Sequence, residues 1–268
     1  MQSGTAPGPA LPPEVHSLVT SFLHALDVAL PDRVEGFYLV GSLALGDYRP
    51  DRSDIDFVAV VRESPDGPAL GRLSAAHDTV RERWPRPHLD GIYVTWSQLL
   101  QNPSSLGGVP FSLEGEFHAS GAFEANPAIW LTLRKRAIAF RGPQPPPVRH
   151  DAEVLRRWLR ENLDSYWQAL ARQAQAAIVS GRHLPDDAIA WCVPGVLRLR
   201  YTLDTGEITS KSGACRHALE TLPPRWHDLI EAVLALHRGE KGVTDRAARE
   251  RDAVELMQFV IDEANRAP

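Results

Sequence analysis

Two aspartates, Asp54 and Asp56, stand one residue apart at the head of an apolar run, and a Gly-Ser pair, Gly41-Ser42, precedes them by a dozen residues. Each feature has its own chemistry. A glycine backbone lets a phosphate approach closely, and the N–H groups that open a helical turn point at it with a favourable dipole. The Ser42 hydroxyl adds one more donor. Carboxylates at i and i+2 of a strand project from the same face, where two anions repel unless a cation sits between them. Hard carboxylate oxygens suit Mg²⁺, which keeps waters or phosphate oxygens in its shell. A phosphate cradle beside paired carboxylates is equipment for metal-assisted phosphoryl or nucleotidyl transfer. Asp90, inside the apolar run 89–95, is placed on a neighbouring strand. There it would hold a second metal or take a proton from an acceptor hydroxyl.

Gly-Ser alone says almost nothing, and a lone Asp-x-Asp is usually a solvated strand start. The order strand, Gly-Ser, short turn, Ser53-Asp54-Ile55-Asp56, strand carries the reading. Elements in alternation must position it. Residues 15–30 carry Val15, Leu18, Val19, Phe22, Leu26 and Leu30 on one helical stripe, ended by Pro31. Residues 36–40 predict a strand, 42–46 a helical turn, 54–61 a second strand, 68–84 a helix and 89–95 a third strand. Residues 126–139 predict a helix with Asn126 as N-cap and Pro127 at its first position. The proline run of residues 143–147 favours an extended linker, so a boundary is set there: 1–147, with 1–13 expected to be disordered, and 148–268. The second part reads as all-helical, over 151–180, 186–203, 210–221, 223–238 and 244–264, with a kink or break expected at Pro194. The fold class is therefore an α/β domain, a mixed sheet with flanking helices, followed by a helical bundle.

The Gly41-Ser42 to Asp54-x-Asp56 pattern resembles the nucleotidyltransferase superfamily that includes DNA polymerase β. The second part narrows the likeness. Residues 198–211, Arg-Leu-Arg-Tyr-Thr-Leu-Asp-Thr-Gly-Glu-Ile-Thr-Ser-Lys, are similar to the helical domain of the adenylyltransferases that modify streptomycin and spectinomycin, and 218–223 are similar to a further stretch of that family. The likeness runs from about residue 38 to 238. It implies ATP as co-substrate and two Mg²⁺ ions, with Ser42, Asp54 and Asp56 at phosphate and metal. It also implies Arg198 and Lys211 on the nucleotide phosphates across an interdomain cleft, where Arg would offer a planar fork and Lys a point charge. Asp90 takes the place of the family's catalytic Glu and is a carbon shorter. For the acceptor, Gly115-Glu116-Phe117 resembles a Gly-Glu-Trp segment with Phe in place of the drug-packing Trp. Trp191 falls on a drug-contacting position, and Asp186 and Asp187 lie near another. Glu114 and Glu124 are further acidic candidates for a cationic small molecule, which an acidic surface attracts.

Composition sets the bounds. The 268 residues are 43% hydrophobic and 24% charged, with net charge −5, and this balance lacks the basic excess of a nucleic-acid binder. Acidic residues outnumber basic ones by four up to Pro147 and by one after it. Of the 29 basic residues 26 are Arg, which reflects genome composition. Cys192 and Cys215 rule out a disulfide scaffold, and no apolar run reaches the ~20 residues of a membrane span. The expectation is a cytoplasmic monomer with a small-molecule substrate, engaging neither nucleic acid nor membrane. Two other readings stay open at this point: a module that acts on or binds a protein partner, and a nucleotide sensor without catalysis.

Overall fold

A computed structural model describes residues 11–240 and 245–266. The chain divides into two compact units, Met1–His150 and Asp151–Pro268, a few residues beyond the proline run. The expected disordered segment falls mostly on residues 1–10, outside the described residues, while Leu11 and Pro12 lead into the first helix.

The first unit is a six-stranded sheet of order β5-β4-β3-β2-β1-β6. Its strands are β1 (Val34–Leu39), β2 (Ile55–Val61), β3 (Leu89–Thr95), β4 (Val109–Leu113), β5 (Glu116–Gly121) and β6 (Ile138–Arg141). Its helices are α1 (Pro13–Ala29), α2 (Gly41–Ala44), α3 (Gly67–Arg83), α4 (Trp96–Leu99) and α5 (Pro127–Lys135). β2 and β3 are parallel, joined by the crossover helix α3, and all other pairs are antiparallel. β2 reads as a continuous apolar run because both its faces are covered. Phe57, Ala59 and Val61 join Phe22, Phe37 and Leu73 in the core shared with α1 and α3. Val58 and Val60 join Ile92, Val94, Trp130 and Leu133 on the other face. Arg141 ties β6 to α1: its Nη1 and Nη2 donate to the two Asp27 oxygens at 2.6 and 2.8 Å, and Nη1 also donates to the Val34 carbonyl at 3.0 Å.

α5 is capped by Asn126, whose Oδ1 accepts from the N–H groups of Ala128 and Ile129, and Pro127 starts it. It stops at Lys135, short of the expected 139, because residues 138–141 pair with β1 as an edge strand. Ile138, Ala139 and Phe140 suit either state by propensity, so tertiary pairing decides.

His77, on α3, is buried among Phe22, Phe57, Tyr93 and Phe117, with Nε2 2.7 Å from the Tyr93 hydroxyl. Burial pushes its pKa down to about 3, the nearby Arg81 charge adding to the effect. The unfolded chain takes up a proton near 6.5 and the folded chain does not, so this contribution to stability is present above 6.5 and lost as the pH falls towards 3. The slope approaches about 1.4 kcal/mol per pH unit. Urea midpoints measured from pH 7 to pH 4 should fall accordingly, and His77→Gln, which keeps a partner for Tyr93, should flatten that fall.

The second unit comprises α6 (Ala152–Asn162), a π-turn over Leu163–Trp167, α7 (Gln168–Val179), α8 (Asp186–Thr205), α9 (Lys211–Thr221), α10 (His227–His237) and α11 (Arg246–Arg266). Its core gathers Trp167, Val193, Val196, Leu197, Ile230, Leu256, Met257 and Val260. The break expected at Pro194 does not occur: α8 is one helix from Asp186 to Thr205, with Pro194 buried inside it. Packing compensates for the donor that proline lacks. Beside it, a Cβ on Gly195 would meet the Trp167 ring, so the π-turn lies directly on α8 there.

Candidate active site

The site begins where β1 ends. The Val40 N–H donates to the Asp56 carbonyl at 2.9 Å, tying the exit of β1 to β2. Gly41 follows with φ +56°, in the left-handed region. A Cβ there would lie 2.8 Å from the Asp56 Cβ and overlap the Asp56 carboxylate. Glycine is therefore set twice over, by backbone angle and by the acid lying against it. The short turn α2 is closed by Leu45 N–H to the Gly41 carbonyl at 3.1 Å and Asp47 N–H to the Ser42 carbonyl at 2.9 Å. Its first N–H groups lie ahead of any intrahelical acceptor, as at every helix start. Ser42 Oγ is buried and has no hydrogen-bond partner. A buried hydroxyl left so is costly unless a ligand completes it.

The loop to β2 is pinned by Arg49 N–H to Ser53 Oγ at 3.0 Å and Ser53 N–H to the Arg49 carbonyl at 2.8 Å. This delivers Asp54 and Asp56 to the start of the strand. Asp56 is the register partner of Asp90 across the parallel β2–β3 pair. Alternation puts Asp54, Asp56 and Asp90 on the face of Val58, Val60, Ile92 and Val94. Asp54 Oδ1 accepts from the His88 N–H at 3.1 Å and from Arg86 Nη1 at 3.3 Å.

Asp90 is 6% exposed. Its Oδ1 accepts from the Gly115 N–H at 3.0 Å. Burial pushes its pKa up, and the Asp54 charge adds to that, while the backbone N–H groups of Gly115 and Glu114 pull the other way; burial wins. Those N–H groups come from the β4–β5 hairpin, where Glu114 (φ +52°) and Gly115 (φ +75°) are both left-handed, as a two-residue turn between twisted strands requires.

The three acids expected at the metal share one face, but their side chains do not converge on one point. Among the described residues no three His, Cys, Asp or Glu side chains form a group able to hold a metal ion. Asp90 is drawn instead to the hairpin N–H groups. Asp54 and Asp56 still fit magnesium, since one or two carboxylates plus phosphate oxygens and water are its usual protein shell.

The acceptor-side candidates part company. Phe117 pairs with Ser112, which pairs with Gly91, so it faces away from the acids. Its ring packs 5.5 Å from His77 and 6.1 Å from Tyr93, half-buried against the core shared with α1 and α3. Glu116 alternates with it and is exposed on the acids' side of β5, while Glu114 sits in the hairpin and Glu124 precedes α5. In the helical unit Asp186 is engaged by the buried Arg249, Nη2 to Oδ1 at 2.6 Å, and its side chain stays half-exposed. Asp187 is exposed in the first turn of α8. Trp191 is 42% exposed, its ring 5.0 Å from Trp167 and 6.3 Å from Tyr166. Arg198 lies mid-α8, and Lys211 opens α9 after the N-cap Ser210, whose Oγ accepts from the Gly213 N–H. The hairpin N–H groups on Asp90 were not anticipated, although the dipeptide Glu114-Gly115 is close to the Asp-Gly hairpin signal. The contacts of Arg86 and His88 with Asp54 have no motif that would announce them.

Residues 23–91 match the family model of the nucleotidyltransferase domain, and residues 192–263 that of the aminoglycoside adenylyltransferase C-terminal domain. No curated protein matches the chain. A crystal structure of spectinomycin adenyltransferase from Enterococcus faecialis, determined with ATP and spectinomycin, has the same fold. Its TM-score is 0.67 at 14% identity, over 94% of this chain and 99% of that one. The chain thus carries a nucleotidyltransferase domain followed by an aminoglycoside adenylyltransferase C-terminal domain, in this order on the shared fold.

Proposed function

We propose that the chain transfers AMP from ATP to a hydroxyl of a cationic, aminoglycoside-like small molecule and releases pyrophosphate. The observation that carries this reading is the Asp56 carboxylate lying against Gly41, beside the unpartnered buried hydroxyl of Ser42 and in register with Asp90. Gly41 admits the triphosphate to the backbone, and Ser42 donates to one of its oxygens. Asp54 and Asp56 hold Mg²⁺, which when bound neutralises charge on the triphosphate. Asp90, raised in pKa yet fixed by two N–H groups, accepts the proton of the acceptor hydroxyl. The hydroxyl oxygen then bonds to the α-phosphorus as the bond to pyrophosphate breaks. Arg198 and Lys211 supply positive charge to the phosphates. Asp187, Trp191 and Glu116 are proposed for the acceptor, in keeping with cation recognition by acids and aromatic rings. The enzyme is proposed to act as a cytoplasmic monomer.

Pyrophosphate release from ATP·Mg²⁺, measured against a panel that includes spectinomycin and streptomycin, tests this. Release with at least one member, and a product one adenylyl group heavier, is expected; release with none would refute the acceptor class. Asp90→Asn should lower kcat by about 10²–10⁴-fold, the usual worth of a general base, while leaving the KM for ATP nearly unchanged. A fall in kcat/KM confined to ATP binding would reassign Asp90 to the nucleotide.

A further inference from the structure

The first unit carries a cavity on the side of the sheet away from the three acids. α1 and α3 cover that face over Phe37, Phe57 and Ala59, and the cavity is the furrow where the two helices meet on their outer side. Its volume is about 660 Å³. The buried Ala29, Ala76 and Val80 form its floor, with Val28 and Trp84 as walls. Val28 leaves 67% of its surface in water, so this wall is apolar and uncovered. No carboxylate lines the cavity, whereas two guanidiniums do, those of Arg72 and Arg83.

The two arginines stand at opposite ends. Arg72 Nε donates to the Ala29 carbonyl at 2.8 Å, so the side chain reaches from α3 to the last turn of α1 and bars one end. That bond fixes the guanidinium through Nε and leaves the Nη donors for a ligand. Arg83 lies over the Trp84 ring, 4.3 Å from its centroid, and closes the other end. Neither guanidinium meets a carboxylate among the described residues, and Asp27, the acid of this stretch of α1, is held by Arg141. Eleven residues of helix set the two arginines ~16 Å apart along α3. A furrow barred at both ends does not suit a helix of another protein, which would run on past it. A compact anion would touch one arginine and leave the floor wet. The match is a long apolar body with one anionic end: a guanidinium takes a carboxylate through two parallel bonds, and the floor and the Val28 wall gain by leaving water.

We propose that this cavity binds a linear acyl carboxylate as a free monomer, with its carboxylate on the Nη groups of Arg72 and its chain laid along the α1–α3 furrow toward Trp84. The site is independent of the transfer chemistry proposed above, since the sheet lies between it and Asp54, Asp56 and Asp90.

Calorimetric titration of the full chain with laurate below its micelle concentration tests it, with octanoate in a second arm and the cation dodecyltrimethylammonium in a third. Saturable binding of one laurate per chain is expected. Octanoate, whose chain leaves the Trp84 end bare, and the cation should each bind at least about tenfold more weakly. Arg72→Gln should weaken laurate at least about tenfold, and Arg72→Lys by less. Ala75→Phe, which fills the furrow from an exposed position on α3, should abolish binding. Pyrophosphate release by these variants should stay near wild type, and Asp56→Asn should bind laurate as wild type does, so a chain that transfers no AMP still tests this site. Unchanged laurate binding in Arg72→Gln or Ala75→Phe, loss in Asp56→Asn, equal binding of the cation, or no saturable binding by wild type would each overturn the proposal. Many laurates per chain would overturn it as detergent-like adsorption only. Sedimentation with anionic vesicles without laurate binding would overturn it in favour of a membrane surface. If Arg72→Gln does not fold, Val28→Glu on the exposed wall takes its place: it should weaken laurate at least about tenfold by repulsion, and unchanged binding would overturn the proposal on the same terms.

Discussion

Gly41→Ala should remove activity and cost stability together. The new methyl group meets the Asp56 side chain, 2.8 Å from its Cβ and inside its carboxylate, and φ of +56° penalises any L side chain. Strain of this kind costs about 1–3 kcal/mol, so a lowered urea midpoint is expected. The larger effect is on the reaction. Asp56 cannot keep its place, and the backbone approach reserved for phosphate is filled, so kcat/KM should fall by at least the ~10²–10³-fold that follows loss of one electrostatic contact to the reacting groups. A double-mutant cycle isolates the cause. In Gly41→Ala/Asp56→Ala the overlap with the carboxylate is relieved, so the combined stability loss should be smaller than the sum by roughly 0.5–3 kcal/mol. Additive losses would mean that Gly41 is needed for its backbone angle alone.

Asp56→Asn should separate catalysis from folding. The amide occupies the same volume beside Gly41 but lacks the charge that holds a hard cation. Transfer should drop by about 10²–10³-fold or more, with the thermal midpoint close to wild type, since three acids on one face repel one another and one charge is removed. The Asp54 charge adds to the rise that burial imposes on the Asp90 pKa, in keeping with that repulsion. A variant that transfers AMP at the wild-type rate would disprove the metal role of Asp56.

The parts of this site that the sequence reveals are those set by local rules. Gly41-Ser42 and Asp54-x-Asp56 stand out because backbone freedom, a turn and strand alternation each demand a residue type at a fixed spacing. β3 is found with its bounds, Leu89 to Thr95, because both its faces are buried and its composition is uniform. What stays hidden depends on distant partners. β4 and β5 carry no apolar alternation strong enough to declare them; on β5 only Phe117 and Gly121 are even half-buried. The hairpin they form is what fixes Asp90. The side that Phe117 takes is hidden because a ring at that position has two faces to choose from, and register with Ser112 and Gly91 turns it to the core. The partner of Asp186 is hidden too, because Arg249 lies sixty-three residues later. β6 is hidden for a third reason: four residues that suit a helix end are recruited by β1.

The account rests on Asp54 and Asp56 holding a divalent cation next to bound nucleotide. Mn²⁺ fits the same oxygen-rich shell as Mg²⁺ and is visible by electron paramagnetic resonance. Titrating Mn²⁺ into the full chain with a non-transferable ATP analogue should show tight, nucleotide-dependent binding that Asp54→Asn/Asp56→Asn weakens at least tenfold. Equal Mn²⁺ binding by wild type and the folded double variant would contradict the account.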